Sequence, residues 1–437
     1  MIRQGITVRH VDLAADHSGE LASADQAALN IYWWGDLPLG MEPLSAAEMP
    51  EGRARLDLLA ARFAAEQRLA RDPALGAPLV AGAEGAPHRA LTIRTAATAR
   101  ESWSWLRETA APSTHSAADV AIIICTRNRL PDLAKCLAAL RTQRSPAGEV
   151  IVVDNSSDGN ASDLCAASTG IRYVHEPRPG LSHARNTGLS AATRGIVAFT
   201  DDDVTPHPGW TAELARAFAD SDADAVTGLV LPIRLDTWAQ RCFQMMMGGF
   251  GDRFVPVLFD RRFFAETQAD GVHVWRIGAG ANMAFRRSVF DRVGLFDTRL
   301  GAGASGCSED SEIWYRILAV GGACLYEPRA VVFHDHRADW SSLEQQMRSY
   351  MRGHVSALVA QRDLFGHRGN VMRIFKQLPR YFVRTAIESV LHAAPDRRKL
   401  LRQEIFGWTS GLRYLISPGW RRRRPKLPAT LSGTMPR

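Results

Sequence analysis

Short apolar segments rich in β-branched residues recur through the middle of the chain, and polar or small residues bound each of them. Segments of about four to eight such residues between turn-forming residues predict buried strands. The predicted strands are Val120–Cys125, Val150–Val153, Ile171–Val174, Ile196–Thr200, Ala225–Ile233, Ala323–Tyr326 and Val331–Phe333. Stretches with helical spacing separate several of them, the first running from Pro131 to about Arg144. This alternation predicts an α/β fold with a mostly parallel sheet flanked by helices.

The two ends of the chain differ from this central pattern. Residues 27–41 predict a hairpin, and residues 51–71 have helical apolar spacing. We therefore expect a small α+β extension over residues 1–115, an α/β domain over residues 116–340, and a basic helical segment over residues 341–437. Inside the α/β domain, the stretch from Trp238 to Val274 is rich in aromatic residues, methionine and glycine, which predicts a flexible loop region.

Helical apolar spacing dominates the C-terminal segment. Pro379 is expected to kink or break its central helix, because proline lacks the backbone N–H that an inner helical turn requires. One face of that helix is predicted to be apolar, with Val371, Ile374, Phe375, Leu378, Phe382, Ala386 and Val390. Another face is predicted to be basic, with Arg373, Lys376, Arg380 and Arg384.

Charge is distributed unevenly along the chain. Residues 340–437 contain 19 Lys and Arg against 5 Asp and Glu, a net charge of +14, whereas the whole chain carries +7. Residues 1–339 therefore carry a net charge of −7. The basic amphipathic pattern and the arginine run 421–424 predict attraction to an anionic membrane surface. A helical cap packed on the α/β domain is the alternative. Nucleic acid is not an expected partner, because no nucleic-acid-binding motif accompanies the basic residues.

Other features bear on the environment of the protein. No segment reaches the roughly 18 uninterrupted apolar residues of a membrane-spanning helix, and residues 1–26 lack the apolar core of a secretion signal. The six cysteines are dispersed without a Cys-x-x-Cys pair, which predicts reduced thiols rather than a zinc site or disulfide framework. We expect a cytoplasmic protein, with peripheral attachment to the inner face of the membrane where the basic segment binds lipid.

Carboxylates follow two of the predicted strands. Asp201, Asp202 and Asp203 come directly after the strand Ile196–Thr200, and Asp154 ends an earlier strand. Because ligands of parallel sheets lie beyond the carboxyl ends of the strands, we expect these side chains to face one crevice. Adjacent carboxylates repel one another, and a divalent cation that also binds a phosphate relieves that repulsion. A solvated acidic turn is the alternative.

Seven motifs follow one another in the order expected for a nucleotide-sugar transferase. They are Ile-Cys-Thr126-Arg-Asn128-Arg, Val-Val-Asp154-Asn-Ser-Ser, Gly180-Leu-Ser-His-Ala-Arg185-Asn186-Thr-Gly188, Phe-Thr-Asp201-Asp202-Asp203, Gly278-Ala-Gly-Ala-Asn282-Met283-Ala-Phe, Glu309-Asp310 and Val-Val-Phe-His334. Residues from about 120 to 340 resemble the inverting family 2 glycosyltransferases with the Rossmann-like A-type nucleotide-sugar transferase fold. The resemblance implies transfer of a sugar, with inversion, from a nucleotide diphosphate donor to a carbohydrate or lipid-linked acceptor.

By this resemblance, the donor lies against the first four motifs. Thr126 and Asn128 line the nucleotide pocket, and Asp154 binds the base or its ribose. The donor-binding residues that the resemblance implies are Thr126, Asn128, Asp154, Arg185, Asn186, Asp201 and Asp202. A turn cap at Asp154 and an exposed helix start at Arg185 and Asn186 are the structural alternatives.

The resemblance also implies a divalent cation, either Mg²⁺ or Mn²⁺. Asp203 is the direct ligand, and Asp201 completes the Asp-x-Asp motif. His334 stands where some relatives place a further metal or phosphate contact, and His336 is a second option. A structural role is the alternative for a lone histidine.

Asp310 matches the position of the general base that removes the proton of the acceptor hydroxyl. Glu309 is its neighbour, and Glu312 is expected on the following helix, where it should matter least. First-turn acids favoured by the helix dipole are the structural alternative for this group. The residues assigned to the acceptor side are Asn282, Met283 and Gly303.

The sequence contains one further glycine-rich motif, and two alternative functions remain open. Gly301-Ala-Gly303-Ala-Ser-Gly306 fits the pattern G-x-G-x-x-G, but no strand precedes it, so we interpret it as a flexible acceptor-side loop rather than a dinucleotide site. A non-catalytic nucleotide-sugar or glycan-binding protein on the same fold is an alternative, which the intact Asp201, Asp203 and Asp310 oppose. A nucleic-acid binder is the other alternative.

Overall fold

The computed structural model describes residues 6–14, 27–44 and 110–422, together with Leu106. The helix predicted over residues 51–71 and the side chains of the arginine run 421–424 lie outside the described residues. The strands are β1 (Thr7–Asp12), β2 (Ala28–Trp34), β3 (Leu37–Leu44), β4 (Val120–Thr126), β5 (Glu149–Asp154), β6 (Ile171–His175), β7 (Ile196–Asp201), β8 (Val204–Pro206), β9 (Ala225–Pro232), β10 (Val257–Phe259), β11 (Asn282–Arg286) and β12 (Cys324–His334). The helices are α1 (Leu130–Leu140), α2 (Ser162–Ala166), α3 (Leu181–Ala191), α4 (Trp210–Ala219), α5 (Trp238–Arg241), α6 (Arg261–Thr267), α7 (Val289–Val293), α8 (Glu309–Ala319), α9 (Trp340–Phe365), α10 (Arg368–Met372), α11 (Leu378–Leu391), α12 (Pro395–Leu415) and α13 (Pro418–Arg422).

The main sheet has nine strands in the order β10-β12-β9-β11-β7-β4-β5-β6, with β8 paired to β12. Strands β4, β5, β6, β7, β9 and β12 share one direction, and β8, β10 and β11 run against it. The α/β fold with a mostly parallel sheet is therefore confirmed. The carboxyl ends of β4, β5, β7 and β12 consequently meet at one edge of the sheet.

Helices cover both faces of this sheet. Successive residues of a strand point to opposite faces, and β4 shows the result. Ile122 and Ile124 pack in one apolar layer with residues of α1 and α4, whereas Ala121 and Ile123 pack in the other with residues of α3 and α8. Full burial of an isoleucine contributes about 2 kcal/mol, so burial on both faces fixes the register of the strands that carry the polar motifs.

A second, three-stranded sheet precedes the main one. β2 pairs with β1 in parallel and with β3 antiparallel, so the hairpin predicted at residues 27–41 is confirmed. Its turn uses Gly35 with a φ of 57°. The ring of Trp33 stacks on that of His207 at 5.6 Å between centroids, and it also contacts Phe333 of β12. The small sheet therefore packs directly on the α/β unit.

The prediction of a flexible loop over residues 238–274 was wrong. This stretch contains α5, a π-helical turn Cys242–Met246, β10 and α6. Cys242, Phe243 and Phe263 are buried within it. Each element is only a few residues long, which is too short for apolar periodicity to distinguish it from a loop.

The two late strands predicted at Ala323–Tyr326 and Val331–Phe333 form one strand, β12. Its pairing with β9 has a register irregularity between Glu327 and Val331. Glu327 Oε2 lies 3.0 Å from Nη2 of Arg216 on α4. Charged residues at this irregularity interrupt the apolar pattern, and for that reason the sequence suggested two strands.

The C-terminal segment is helical through residue 422, as predicted. A π-helical turn, Arg373–Gln377, directly precedes α11, and Pro379 is the second residue of α11, in the first helical turn, where a proline does not break a helix. The apolar face predicted for this stretch is only partly buried. Phe375 and Val390 of that face are exposed, whereas Ile374, Leu378 and Phe382 are buried. The same stretch also exposes Met372, Val383, Ile387 and Leu391, which were not predicted on that face.

Two properties of the described ranges bear on the earlier expectations. None of their helices combines the length and the apolar character needed to cross a membrane. All six cysteines are free thiols.

Candidate active site

A cleft of about 1400 Å³ opens at the carboxyl ends of the parallel strands. Its floor is the end of β7, and the N-terminus of α8 and the end of β12 form parts of its walls. The candidate residues that line it are Thr126, Arg185, Asp201, Asp202, Asp203, Gly303, Glu309, Asp310 and His334. Five segments that are distant in sequence are thus brought together as the motif order predicted.

Arg129 neutralises part of the acidic cluster. Its Nη1 donates to Asp203 Oδ2 at 2.7 Å and to Asp202 Oδ1 at 3.1 Å. Thr126 Oγ1 donates to Asp202 Oδ2 at 2.8 Å. Hydrogen-bond donors of the protein therefore hold the Asp202 carboxylate, and the Thr126 hydroxyl is one of them. Arg129 belongs to the first motif, but no role was predicted for it. Its position just beyond the end of β4, at the same edge of the sheet as the carboxylates, could have indicated a contact with them.

A hydrogen-bonded relay orients His334 toward Asp203. With the Gln244 amide oriented so that its Oε1 lies 3.0 Å from His336 Nε2, this nitrogen carries the proton, because an amide oxygen only accepts. His336 Nδ1 is then an acceptor, and His334 Nδ1 donates to it at 3.1 Å. The remaining nitrogen, His334 Nε2, has a free lone pair and lies 3.5 Å from Asp203 Oδ1. Two acceptors thus face each other.

This pair fits one side of a divalent-cation site. Carboxylate oxygen and imidazole nitrogen are both ordinary ligands of divalent metals, and a cation held by Asp203 and His334 would remove the repulsion between their lone pairs. Within the described residues, no three His, Cys, Asp or Glu side chains cluster as a complete metal site. Further ligands must therefore come from elsewhere, and phosphate oxygens of a substrate are common ligands of Mg²⁺.

The carboxylates and histidines of the cleft have shifted acidities. Confinement at the cleft floor raises the pKa of Asp201 and of Asp202 to about 6 in each case, and the neighbouring Asp203 adds to the effect. Burial also acts to raise the pKa of Asp203, but the positive charges of His334 in its protonated form at low pH, of Arg129 and of Arg337 lower it overall. Burial lowers the pKa of His334. His334 is therefore neutral near pH 7, as a metal ligand must be.

Arg185 is a buried cross-link rather than an exposed helix start. Its Nη1 is ion-paired with Glu309 Oε1, and its Nη2 lies 3.6 Å from Asp201 Oδ1 and donates to the carbonyl of Gly280 at 3.3 Å. The Arg185 side chain is 3% exposed and that of Glu309 is 6% exposed. Burial raises the pKa of Glu309 to about 7, although Arg185 opposes this shift. The pair joins α3, β7 and α8 beneath the cleft.

Asp310 projects from the start of α8 into the same cleft. Its Oδ1 accepts a hydrogen bond from the backbone N–H of Ser311 at 2.6 Å. A Cβ atom on Gly280 would lie 2.9 Å from Asp310 Oδ2 and 3.0 Å from Arg185 Nη2, so only glycine leaves room for both side chains. Ser308, which precedes α8, has a left-handed backbone with φ of 72°. Such strain costs about 1 kcal/mol or more and is commonly retained at functional sites.

Three of the predicted donor residues do not line the cleft. Asp154 is fully buried, and its carboxylate accepts hydrogen bonds from Ser156 N at 2.9 Å, Ser156 Oγ at 2.6 Å and Ala161 N at 2.8 Å. Burial acts to raise the pKa of Asp154, but these hydrogen bonds lower it overall. The geometry is that of the turn cap considered as the alternative. Asn128, with φ of 58°, accepts from Asn160 Nδ2 at 2.9 Å.

Asn186 is the third of these residues. Its side-chain amide exchanges two hydrogen bonds of 2.9 Å with the backbone of Phe296, one as donor and one as acceptor. It therefore anchors α3 to the segment that leads toward the glycine-rich loop. Both the amide nitrogen and the carbonyl oxygen of Asn186 are thus engaged with this backbone.

The assignment of Asn282 and Met283 to the acceptor side was wrong. Asn282 Nδ2 donates to the carbonyls of Leu229 and Ala330 at 3.0 and 2.8 Å, and its Oδ1 accepts from Trp210 Nε1 at 2.9 Å. Met283 is fully buried in the apolar core. Both lie on β11, between two other strands, and the preceding small residues line the cleft instead.

Gly303, the remaining acceptor-side residue, does line the cleft. Its φ of 83° and its close approach to Gly180 require glycine, since a Cβ there would lie 3.0 Å from Gly180 Cα. Ala302 O accepts from Leu181 N at 2.9 Å, so this loop also holds the start of α3.

Comparison with known proteins adds independent information. Residues 121–294 match the model of the family described as glycosyl transferase family 2. A pre-mycofactocin glycosyltransferase of Mycobacterium tuberculosis is 32% identical over 237 residues, which cover 52% of this chain and 46% of the relative. A glucosyl-dolichyl phosphate glucuronosyltransferase of Haloferax volcanii is 28% identical over 42% of this chain and 57% of its own. The chain spans about half the length of the curated relatives that it matches.

A solved structure is also similar to the chain. It is a mannosyltransferase of Pyrobaculum calidifontis in complex with GDP-Man and Mn²⁺, with 20% identity, a TM-score of 0.45, and coverage of 72% of this chain and 93% of that one. The family match over residues 121–294 includes Asp201–Asp203 and ends before Glu309, Asp310 and His334. Residues 121–294 of this chain therefore match the glycosyl transferase family 2 model, and the rest of the chain lies outside that match.

Proposed function

We propose that this protein transfers a sugar from a nucleoside diphosphate donor to the hydroxyl of a saccharide acceptor, with inversion at the anomeric carbon. The observation that carries the proposal is that Asp203 and Asp310 line one cleft at the carboxyl edge of the sheet. One carboxylate suits the diphosphate end of a donor and the other suits the attacking hydroxyl. The family match and the names of the relatives support the reaction class.

Asp310 acts as the general base in this proposal. Its carboxylate accepts the proton of the acceptor hydroxyl while that oxygen forms a bond to the anomeric carbon. The bond from that carbon to the diphosphate breaks on the opposite side, so configuration inverts. Gly280 leaves room for the Asp310 carboxylate, and the Arg185–Glu309 pair fixes the helix start that carries it.

Asp203 and His334 are the residues that would hold a divalent cation, Mg²⁺ or Mn²⁺, with Asp201 beside them. When bound, such a cation offsets the negative charge that develops on the departing diphosphate. Arg129 already pairs with Asp203 and is placed to contact a phosphate when that carboxylate binds a cation. Thr126 and Asp202, which are hydrogen-bonded to each other, support the turn after β7 that carries Asp203.

The acceptor is a carbohydrate, either free or linked to a lipid. The Haloferax volcanii relative is named for a glucose linked to dolichyl phosphate, which supports a lipid-linked acceptor. The remaining alternative is a non-catalytic binder of nucleotide sugars or glycans on the same fold.

A panel of nucleotide sugars tests the proposal by release of nucleoside diphosphate in the presence of Mg²⁺ or Mn²⁺. We expect one donor to be hydrolysed slowly without acceptor, and Asp203→Ala to lose both turnover and metal-dependent donor binding in calorimetry. Donor binding that is tight, independent of a chelator and never followed by release would identify the non-catalytic binder instead.

A further inference from the structure

One face of α11 exposes a column of large apolar side chains. Val383, Ile387 and Leu391 follow one another at four-residue spacing and are 61%, 55% and 74% exposed. The opposite face of the same helix is buried through Leu378 and Phe382. A helix needs only one apolar face to pack on its own protein, so the second face is available to a partner.

A basic column lies beside this apolar column. Arg384 directly follows Val383, which places it about 100° further around the helix, and Arg380 lies one turn before Arg384 on the same side. Both are exposed, and the nearest carboxylate to Arg384 is Glu388, with 3.7 Å between Nε and Oε1. An exposed pair at that distance neutralises little charge. Lys376 continues the basic column one turn upstream.

This face borders the opening of the active-site cleft. Arg380 and Arg384 line the same cleft as Asp203 and Asp310. Anything that binds the apolar and basic columns is therefore held next to the entrance through which an acceptor reaches the candidate base.

We propose that this apolar and basic face of α11 binds the surface of an anionic lipid bilayer. Val383, Ile387 and Leu391 enter the boundary between headgroups and acyl chains, and the guanidinium groups of Arg380 and Arg384 pair with lipid phosphates. A second copy of this chain fits less well, because symmetric contact of this face brings two arginine columns together, and Glu388 is the one carboxylate of α11 on each copy to match them.

The proposed bilayer binding does not depend on the proposed sugar transfer. If the protein does both, bilayer binding determines the class of acceptor. The cleft entrance then faces the headgroup layer, and a saccharide linked to a membrane lipid is delivered to Asp310 from that layer. The acceptor class that follows is a lipid-linked saccharide rather than a free sugar.

Vesicle flotation of the full chain tests the proposal. Vesicles of phosphatidylcholine mixed with phosphatidylglycerol should carry the protein, and vesicles of phosphatidylcholine alone should carry much less. Val383→Asn with Ile387→Asn should reduce binding at least about tenfold, and Arg380→Gln with Arg384→Gln about thirtyfold. The matched controls are Ile233→Asn with Leu295→Asn, and Arg261→Gln with Arg287→Gln, which alter exposed residues elsewhere and should bind as wild type.

The outcomes separate this proposal from the catalytic one. Donor hydrolysis without acceptor should be unchanged by Val383→Asn with Ile387→Asn, while transfer to a vesicle-borne acceptor falls. If the wild-type chain does not float with anionic vesicles at low salt, the proposal is wrong. Occupation of this face by a second copy or by another part of the chain would give that result. Equal loss of binding in the control variants also overturns it. Flotation without hydrolysis of any donor would instead contradict the proposed function and leave the proposed bilayer binding intact.

Discussion

Arg185 and Glu309 form a buried ion pair that connects α3 to the first residue of α8, next to the candidate base. The pair therefore contributes to the position of Asp310 without meeting the acceptor itself.

Glu309→Gln should change the free energy of unfolding by less than about 1 kcal/mol at pH 7, because the pKa of Glu309 is about 7 and the neutral amide replaces a carboxyl group that is already half protonated there. Turnover should fall less than in Asp310→Asn, since the carboxylate of Asp310 remains. Urea unfolding followed by circular dichroism measures the first effect, and nucleoside diphosphate release measures the second. A fully stable but inactive Glu309→Gln would make Glu309 the base.

Asp310→Asn should lower kcat at least about a hundredfold, because general-base catalysis is worth roughly a hundred- to ten-thousandfold. The donor dissociation constant should stay near the wild-type value, since the proton acceptor acts only in the transition state. Single-turnover transfer and calorimetry with the donor measure the two quantities. Retention of most turnover would remove Asp310 from the mechanism.

The control for Asp310→Asn is Asp163→Asn, another first-turn aspartate, which is exposed on α2. Glu312, which the sequence suggested as the residue that matters least, is unsuitable. It is fully buried and its Oε2 lies 2.7 Å from Nη2 of Arg316. Glu312→Gln would therefore report on folding rather than on chemistry.

His336→Phe should weaken Mn²⁺ binding about tenfold, because outer-shell partners of metal ligands typically contribute ten- to a hundredfold in affinity. Without the Nδ1 acceptor of His336, His334 is free to carry its proton on Nε2, the atom that faces Asp203. Electron paramagnetic resonance titration of Mn²⁺ in the presence of a nucleoside diphosphate measures this directly. His207→Phe, outside the cleft, is the control. Unchanged Mn²⁺ affinity in His336→Phe would show that the relay does not orient the ligand.

Glu176 makes one part of the stability of the protein depend on pH. Hydrogen bonds from Arg178 and Thr187 lower its pKa to about 2, although burial opposes the shift. A lowered carboxyl pKa stabilises the folded state above the unfolded pKa of about 4.5, and this stabilisation is lost as the pH falls toward 2. Glu176→Gln should therefore cost about 2 kcal/mol at pH 7 and almost nothing near pH 2. Urea unfolding of both proteins across this range measures the difference, and a constant difference would contradict the assignment.

The sequence predicted the strands and the strand-end carboxylates because both are local properties. An apolar run such as Val120–Cys125 specifies a buried strand without reference to the rest of the chain, and parallel pairing then places the acids at one edge. The side-chain directions of Asn282 and Asn186 could not be predicted in this way. Each depends on backbone groups far away in sequence, namely the carbonyls of Leu229 and Ala330 for one and the backbone of Phe296 for the other.

The His334 relay was out of reach for a similar reason. Gln244 and His336 meet only because the stretch after β9 folds into short helices, and that stretch had been predicted as a loop. Arg129 is different, because its place in the motif and its position at the end of β4 were visible in the sequence. Its contact with Asp202 and Asp203 follows from the register of β4 with β7.

β11 lies between β7 and β9 although it follows both in the chain. During synthesis, β4 to β7 can assemble as soon as residue 201 has left the ribosome, whereas β9 has no partner in the sheet until β11 or β12 emerges. Until then, β7 and β9 present open rows of backbone hydrogen-bonding groups of the kind that recruit other chains. A nascent or truncated chain that ends before residue 282 is therefore the species most prone to aggregate, and chaperone dependence should concentrate in that interval of translation.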